Sequence, residues 1–63
     1  MIQIGEVVKY IRKSKRISRD DLAMMSGVNL NTLKNIETGR NATLKSVERV
    51  LDAMGYELEI VKK

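Results

Sequence analysis

Residues 28–37 constrain the fold of this chain more than any other segment, because a helix start and a helix stop lie close together around them. Asn29 suits the N-cap, where its side-chain oxygen accepts a free backbone N–H of the first turn. Gly39 can adopt the left-handed conformation that ends a helix. Leu33 and Ile36 would then share the face that packs on the core. The segment therefore predicts a short helix with one buried face.

The other face of this helix carries two amides, one cation and one leucine, but no carboxylate. Its residues are Leu30, Asn31, Lys34 and Asn35. Amide side chains can bond adenine edges in the major groove of DNA, and lysine can reach guanine or phosphate. An ordinary solvated helix face explains the same residues, since Asn is also common near helix starts. These residues alone leave both interpretations open.

The lack of Cys and His among the 63 residues excludes several classes of protein. A chain of this length forms one small domain, whose monomer buries only roughly 60% of its unfolded surface. Neither a disulfide nor a Cys/His zinc site can stabilise it. Asp20 and Asp21 fit the first turn of a helix better than acid–base catalysis, because no His or Cys accompanies them. We therefore expect no enzyme activity, no metal and no cofactor.

Positive charge is concentrated in the first third of the chain. The net charge is +4, and six cations without an intervening acid lie close together: Lys9, Arg12, Lys13, Lys15, Arg16 and Arg19. Cations suit a helix C-terminus, but a phosphate-facing surface explains the cluster at least as well. No apolar run approaches the ~20 residues of a membrane span, and no signal-peptide pattern is present. We expect a cytoplasmic protein that does not contact a membrane.

Apolar periodicity and cap residues predict three further helices. Helix 1 covers about Ile4 to Ser14, helix 2 follows the cap Ser18 and ends near Met25 or Ser26, and helix 4 follows Thr43 and stops at Gly55. Helix 2, the turn at Gly27 and the helix over residues 28–37 then form a helix-turn-helix. The chain is therefore expected to be mainly α-helical.

The hydrophobic period changes near the C-terminus, where apolar and acidic residues alternate from Tyr56 to Val61. This alternation predicts a strand with one apolar face. An isolated strand leaves its backbone groups unpaired, so it must pair with residues 1–4 of the same chain or with its own copy across a two-fold axis. We favour the second as the main pairing, with the first open in addition, because the dyad would bury Leu58 and Ile60 against helix 4 in a chain that is short of core.

One ordered set of residues has a specific spacing: Leu22-Ala23, then Gly27-Val28, then Ile36-Glu37 followed by Gly39. In this set the chain resembles the lambda-repressor-like (Xre-type) helix-turn-helix regulators, over about Ile4 to Gly55. The resemblance implies a four-helix domain whose third helix is the recognition helix in the DNA major groove. The base-reading residues would be Leu30, Asn31, Lys34 and Asn35.

The same resemblance implies contacts to DNA phosphates from the starts of helices 2 and 3 and from the loop after helix 3. The residues there are Ser18, Arg19, Asn29, Thr32, Thr38, Arg40 and Asn41. Arg19 stands where the family commonly has Gln, which would make that contact more sensitive to salt. Family members often pair a helix-1 Arg with the Glu that ends helix 3, here Arg12 and Glu37. Glu37 is then structural, since a carboxylate at the negative end of a helix needs a cation.

The C-terminal part resembles the HipB-type antitoxins, in the loop Asn41–Leu44 and in the segment Gly55–Val61. These are small dimeric repressors that bind operators and a HipA-type kinase toxin, and their last strand pairs across the dimer. The resemblance implies a homodimer with a toxin protein as partner. Its dimer interface would contain Tyr56, Leu58 and Ile60.

We therefore predict a helix-turn-helix DNA-binding domain over residues 1–55 and a C-terminal β-strand for dimerisation over residues 56–63. The protein would repress transcription from a palindromic operator, regulate its own operon and, in the finer assignment, act as the antitoxin of a HipA-like kinase. The alternative is a protein-interaction module that keeps the fold but no longer reads DNA. At least one of Met24 and Met25 should be exposed, either at the rim of the core or as an apolar patch for a partner.

Overall fold

The computed structural model describes residues 3–63 as four α-helices joined by short loops. They are α1 (Ile4–Ser14), α2 (Arg19–Ser26), α3 (Leu30–Glu37) and α4 (Leu44–Ala53). The four predicted helices are confirmed, with bounds that agree to within a residue or two. The N-terminal segment suggested as one partner for the last strand includes Met1 and Ile2, which lie outside the described residues.

Side-chain caps begin α2, α3 and α4, as the sequence predicts. The Ser18 hydroxyl oxygen accepts a first-turn backbone N–H at 3.1 Å, and the Asn29 side-chain oxygen accepts one at 2.7 Å. The Thr43 hydroxyl oxygen does the same for α4 at 3.1 Å. Each bond satisfies a backbone donor that the helix itself leaves free, so these three residues determine where the helices start.

The core consists of aliphatic side chains and one methionine, because the chain has no Phe or Trp. α1 packs against α3, while α2 packs against both α3 and α4. The buried apolar residues are Val8, Ile11, Leu22, Val28, Leu33, Ile36, Val47, Val50, Leu51 and Met54. This packing uses one face of α3 and leaves the opposite face accessible to solvent.

α1 and α3 approach each other closely at Gly5, which is buried near the start of α1. Its Cα faces the backbone of Ile36 and Glu37 at the end of α3, and a Cβ at this position would collide with the Ile36 carbonyl oxygen. Glycine permits this approach because it has no Cβ.

α1 ends in a Schellman motif. The N–H of Ile17 donates to the Arg12 carbonyl oxygen at 3.1 Å, and the N–H of Arg16 donates to the Lys13 carbonyl oxygen at 3.0 Å. Arg16 has a φ of +56°, the left-handed conformation that this motif requires and for which glycine is usual. The motif explains why α1 stops at Ser14 without a glycine or proline.

The last eight residues, 56–63, form neither a helix nor a strand in the described chain. The N–H of Tyr56 still donates to the Leu51 carbonyl oxygen at 2.9 Å, which ties the start of this segment to α4. Beyond it, Leu58 is 39% exposed and Ile60 is 95% exposed. The predicted strand and its pairing across a dimer are therefore unconfirmed. The physical reason is that a strand needs a second strand to satisfy its backbone groups, and a single copy of this chain is described.

Candidate nucleic-acid interface

The solvent-facing side of α3 holds the residues predicted to read bases. Asn31 and Lys34 are exposed, while Leu30 and Asn35 are partly buried at its edges. The face is anchored from below by the buried side chain of Leu33. It therefore offers one amide and one ammonium group to solvent, bordered by one leucine and a second amide.

The residues predicted to contact phosphates differ in the donors they have free. Asn29 uses its side-chain oxygen as the α3 cap, so its NH₂ group can still donate to another acceptor. Ser18 likewise accepts at the α2 cap, and its hydroxyl hydrogen can still be donated. Thr38 differs, because its hydroxyl and its N–H both donate to the Lys34 carbonyl oxygen, at 2.8 and 3.0 Å. Both donors of Thr38 are therefore used within the chain, and its contact to phosphate stays a prediction.

Two other predicted phosphate contacts lie in the loop after α3. Arg40 and Asn41 are exposed there, whereas Thr32 is half-buried on α3 itself. The backbone N–H of Arg40 donates to the Asn35 carbonyl oxygen at 2.8 Å, which attaches the loop to the end of α3. The Arg40 guanidinium is therefore carried by a loop with a defined position relative to α3.

Three helices meet at the Glu37 carboxylate, which is 0% exposed. Arg12 of α1 donates to both carboxylate oxygens, from Nε at 2.7 Å and from Nη2 at 3.1 Å. Arg19 of α2 donates to Oε1 from its Nε at 3.0 Å. The two-point geometry between a guanidinium and a carboxylate is the strongest form of this interaction. The structure thus brings together the predicted pair and adds a second arginine.

The charge of Glu37 is maintained by its partners. Burial of the carboxylate raises its pKa, but hydrogen bonds from Arg12 and Arg19, together with their positive charges, lower it further than burial raises it. The pKa of Glu37 therefore lies below its ordinary value of 4.5, and the group is ionised at neutral pH. Together with its complete burial, this supports a structural role for Glu37.

Arg19 has a position that the sequence did not indicate. Its Nε is committed to Glu37, while its side chain remains 37% exposed. The two terminal NH₂ groups of the guanidinium stay available for another acceptor, such as a phosphate. The predicted phosphate contact and the ion pair can therefore coexist on one side chain. The sequence places six cations between residues 9 and 19, but it does not show that Arg19 reaches Glu37 in addition to Arg12.

The outer face of α2 carries two exposed methionines. Met24 is 81% exposed and Met25 is 55% exposed, so the expectation that at least one would be exposed is confirmed. Neither fills a gap in the core. Within residues 3–63, no helix is long and apolar enough to cross a membrane, and no group of three His, Cys, Asp or Glu side chains could bind a metal ion.

Comparison with known proteins gives one family match. The matching family model is described as helix-turn-helix and covers residues 8–61. An uncharacterized HTH-type transcriptional regulator of Sinorhizobium fredii is 32% identical over 59 residues, which are 92% of this chain and 78% of that protein. An HTH-type transcriptional regulatory protein of Methanocella arvoryzae is 40% identical over 52 residues. These cover 78% of this chain but 16% of that protein, so this chain spans less than a fifth of its length.

A solved structure with a similar fold belongs to a point mutant of the restriction-modification controller protein C.Esp1396I. The two structures superpose with a TM-score of 0.77 at 30% sequence identity. The superposition covers 87% of this chain and 73% of the controller protein chain.

Proposed function

Because this chain belongs to the helix-turn-helix family, we propose that it is a DNA-binding transcriptional regulator whose recognition helix is α3. The observation that carries this proposal is the exposed face of α3, where Asn31 and Lys34 reach solvent and no carboxylate is present. A face that enters the major groove of a polyanion must avoid negative charge and must offer donors and acceptors to base edges. The names of the two curated relatives and of the controller protein support the same function.

Base recognition is assigned to the N-terminal half of α3. Asn31 can donate to N7 and accept from N6 of one adenine, a two-point contact that other bases do not match. Leu30 at its edge can pack on a thymine methyl group, and Lys34 can reach guanine. Phosphate contacts are assigned to residues around this face: Ser18, Arg19, Asn29, Thr32, Arg40 and Asn41. Thr38, whose donors are used within the chain, is a minor candidate.

Two alanine variants should distinguish base reading from phosphate binding. Asn31→Ala is expected to relax the preference at one base position, at a cost of about 1–3 kcal/mol for the preferred sequence. Arg40→Ala should weaken all sequences alike and reduce the salt dependence by about one unit of slope. Selection of binding sites from a random duplex library, followed by titrations of the selected and scrambled sites, measures both effects.

Arg49→Ala provides the control for this pair, because Arg49 is an exposed cation in the middle of α4 and belongs to none of the proposed base or phosphate contacts. It should keep the parent preference and nearly the parent salt slope. If Asn31→Ala selects the same sites with the same stringency as the parent, α3 is not presented as assigned. If the parent protein binds no duplex in the low-micromolar range at low salt, the chain is better described as a protein-interaction module with this fold.

We also propose that residues 56–63 form a strand that pairs with a second copy, which would place two recognition helices on a palindromic operator about one helical turn apart. The support is the exposure of Leu58 and Ile60 and the alternation of the segment. Pairing would satisfy the free backbone groups and cover these side chains. Residues 1–55 would then be the DNA-binding domain and residues 56–63 the dimerisation segment, with Tyr56 at its start.

The Leu58→Asp variant tests this dimer. In the proposed dimer, two copies of Leu58 would be buried, each stabilising by about 1.5–3 kcal/mol. The variant replaces them with two carboxylates in one interface. The dissociation constant should therefore rise by at least about 100-fold, which sedimentation equilibrium measures. Val61→Asp also replaces an aliphatic side chain with a carboxylate, but on the opposite face of the proposed strand, and should leave the dimer intact. A Leu58→Asp protein that sediments like the parent would place the interface elsewhere.

The finer biological assignment is repression of the chain's own operon, with the role of antitoxin to a HipA-like kinase. It is supported only by the resemblance of Asn41–Leu44 and Gly55–Val61 to HipB-type antitoxins. Neither of the two relatives nor the controller protein is named as an antitoxin. A kinase encoded beside this chain that co-purifies with it would support the assignment. If the neighbouring gene encodes a protein of another class, the proposal of a toxin partner fails, while the proposal of a repressor still stands.

A further inference from the structure

The six cations near the N-terminus fall into two groups in the structure. Arg12 and Arg19 are held by the Glu37 carboxylate. The others have no carboxylate within ion-pair distance among residues 3–63; they are Lys9, Lys13, Lys15 and Arg16. The Lys15 Nζ lies instead 6.0 Å from the centre of the Tyr56 ring. Like charges that are close together repel each other, so this group would be stabilised by an anion from outside the chain.

Arg16 is the unusual member of this second group. Its φ is positive, and the other residues between positions 3 and 63 with positive φ are glycines: Gly27, Gly39 and Gly55. A residue with a Cβ pays a steric penalty in this conformation, which glycine avoids. The chain thus uses glycine at three such places and arginine at the fourth. An outlier of this kind suggests that the side chain is retained for a purpose other than folding.

The loop that carries Arg16 has a fixed position relative to α3. The carbonyl oxygen of Ile17, the next residue, accepts a hydrogen bond from Arg12 Nη1 at 2.9 Å. The same guanidinium binds Glu37, the last residue of α3. Arg16 also precedes the α2 cap Ser18 by two positions in the chain. Arg16 is exposed and therefore lies close along the chain to the proposed phosphate contacts Ser18 and Arg19 at the start of α2.

We propose that the loop between α1 and α2 is a further contact to the DNA backbone, in which the Arg16 guanidinium binds a phosphate oxygen. Lys13, exposed in the last turn of α1, adds to the positive potential there. The left-handed backbone at Arg16 lowers folding stability, while the charge it carries raises DNA affinity. This inference rests on the proposed function, because DNA supplies the phosphate.

The Arg16→Gly variant separates stability from affinity, because it removes the charge and relieves the backbone at once. Its melting temperature should rise by a few degrees. Loss of one phosphate contact should reduce the slope of log K against log salt by about 0.9. The affinity advantage of the parent should therefore shrink about 3- to 4-fold when KCl rises from about 50 to about 200 mM. Fluorescence anisotropy with a mixed-sequence duplex of about 24 base pairs, enough for two half-sites, measures this.

Two controls accompany this variant. Arg49→Gln removes an exposed cation from α4 and should keep nearly the parent slope. Arg16→Lys keeps the charge and should also keep the slope. An Arg16→Gly protein with the parent salt slope, or one that melts below the parent, overturns the inference while leaving the proposed function in place. If the parent itself does not bind the duplex, the proposed function fails and this inference with it.

Discussion

Replacing Glu37 with alanine should lower the free energy of unfolding by about 3–5 kcal/mol, because it leaves a buried guanidinium without its counter-charge. The Arg12 side chain is 9% exposed and would keep its positive charge in that environment. Domains of this size commonly have a total stability of roughly 3–9 kcal/mol, so much of the variant should be unfolded at neutral pH. Urea titration followed by far-ultraviolet circular dichroism measures the loss.

Glu48→Ala is the matched control for this variant. Glu48 is exposed on α4 and forms no ion pair within the described part of the chain. Its replacement should change stability by no more than about 0.5 kcal/mol. If the two alanine variants were equally stable, the ion pairs of Glu37 with Arg12 and Arg19 would contribute nothing to the free energy of unfolding.

The pH dependence of the free energy of unfolding should reveal the same interaction when the parent is compared with Glu37→Gln. The pKa of Glu37 is lowered in the folded state, so the unfolded chain binds the proton first as the pH falls. The contribution of the ionised group is therefore complete above about pH 4.5 and is lost as the pH falls through the folded-state pKa. The difference in free energy of unfolding between the parent and Glu37→Gln should be largest at neutral pH and should decrease below about pH 4.5. A difference that stays constant down to roughly pH 2.5 would contradict the ion-pair explanation.

Gly5→Ala should also destabilise the domain, although helix propensity alone predicts the opposite. Alanine is favoured over glycine inside a helix by about 0.8–1.0 kcal/mol. The added Cβ, however, would collide with the Ile36 carbonyl oxygen, a backbone atom in the last turn of α3. A backbone atom held by a helix cannot rotate away as a side chain can, so α1 must move. Overpacking of this kind commonly costs about 1–3 kcal/mol or more, and we expect a net loss.

Glu6→Ala is the control for this variant, because it changes the neighbouring side chain without adding a Cβ that collides. Glu6 is exposed in the same turn of α1, and Glu6→Ala should change stability by no more than about 0.5 kcal/mol. Thermal unfolding of both variants gives the comparison. A Gly5→Ala protein that melts at or above the parent temperature would mean that α1 can tilt away from α3 without loss of packing.

Local signals in the sequence were sufficient to predict the helices. Ser18, Asn29 and Thr43 each satisfy a free backbone donor of the residues that follow them, which is a property of a few neighbouring residues. The face of α3 was likewise predictable, because its buried side is marked by Leu33 and Ile36 at helical spacing. These features depend on separations of a few positions, and the sequence states such separations directly.

Features that depend on distant residues were not predictable in the same way. Arg19 and Glu37 are 18 positions apart, and which cation reaches the carboxylate depends on how the helices pack. The contact of Gly5 with the end of α3 is another case, since the sequence names the glycine but not the backbone it meets. The C-terminal strand depends on a second chain, so one sequence can suggest its apolar face without giving its partner.

The shared carboxylate also has a consequence for motion. Glu37 ends α3 and accepts hydrogen bonds from Arg12 of α1 and Arg19 of α2. None of the three helices can therefore fray or tilt near this carboxylate without breaking an ion pair. Amide hydrogens in the three helices should therefore exchange in one cooperative opening rather than helix by helix. If α3 is the recognition helix, as proposed, it is already ordered before it meets DNA. Association would then require little further loss of conformational entropy in the three helices.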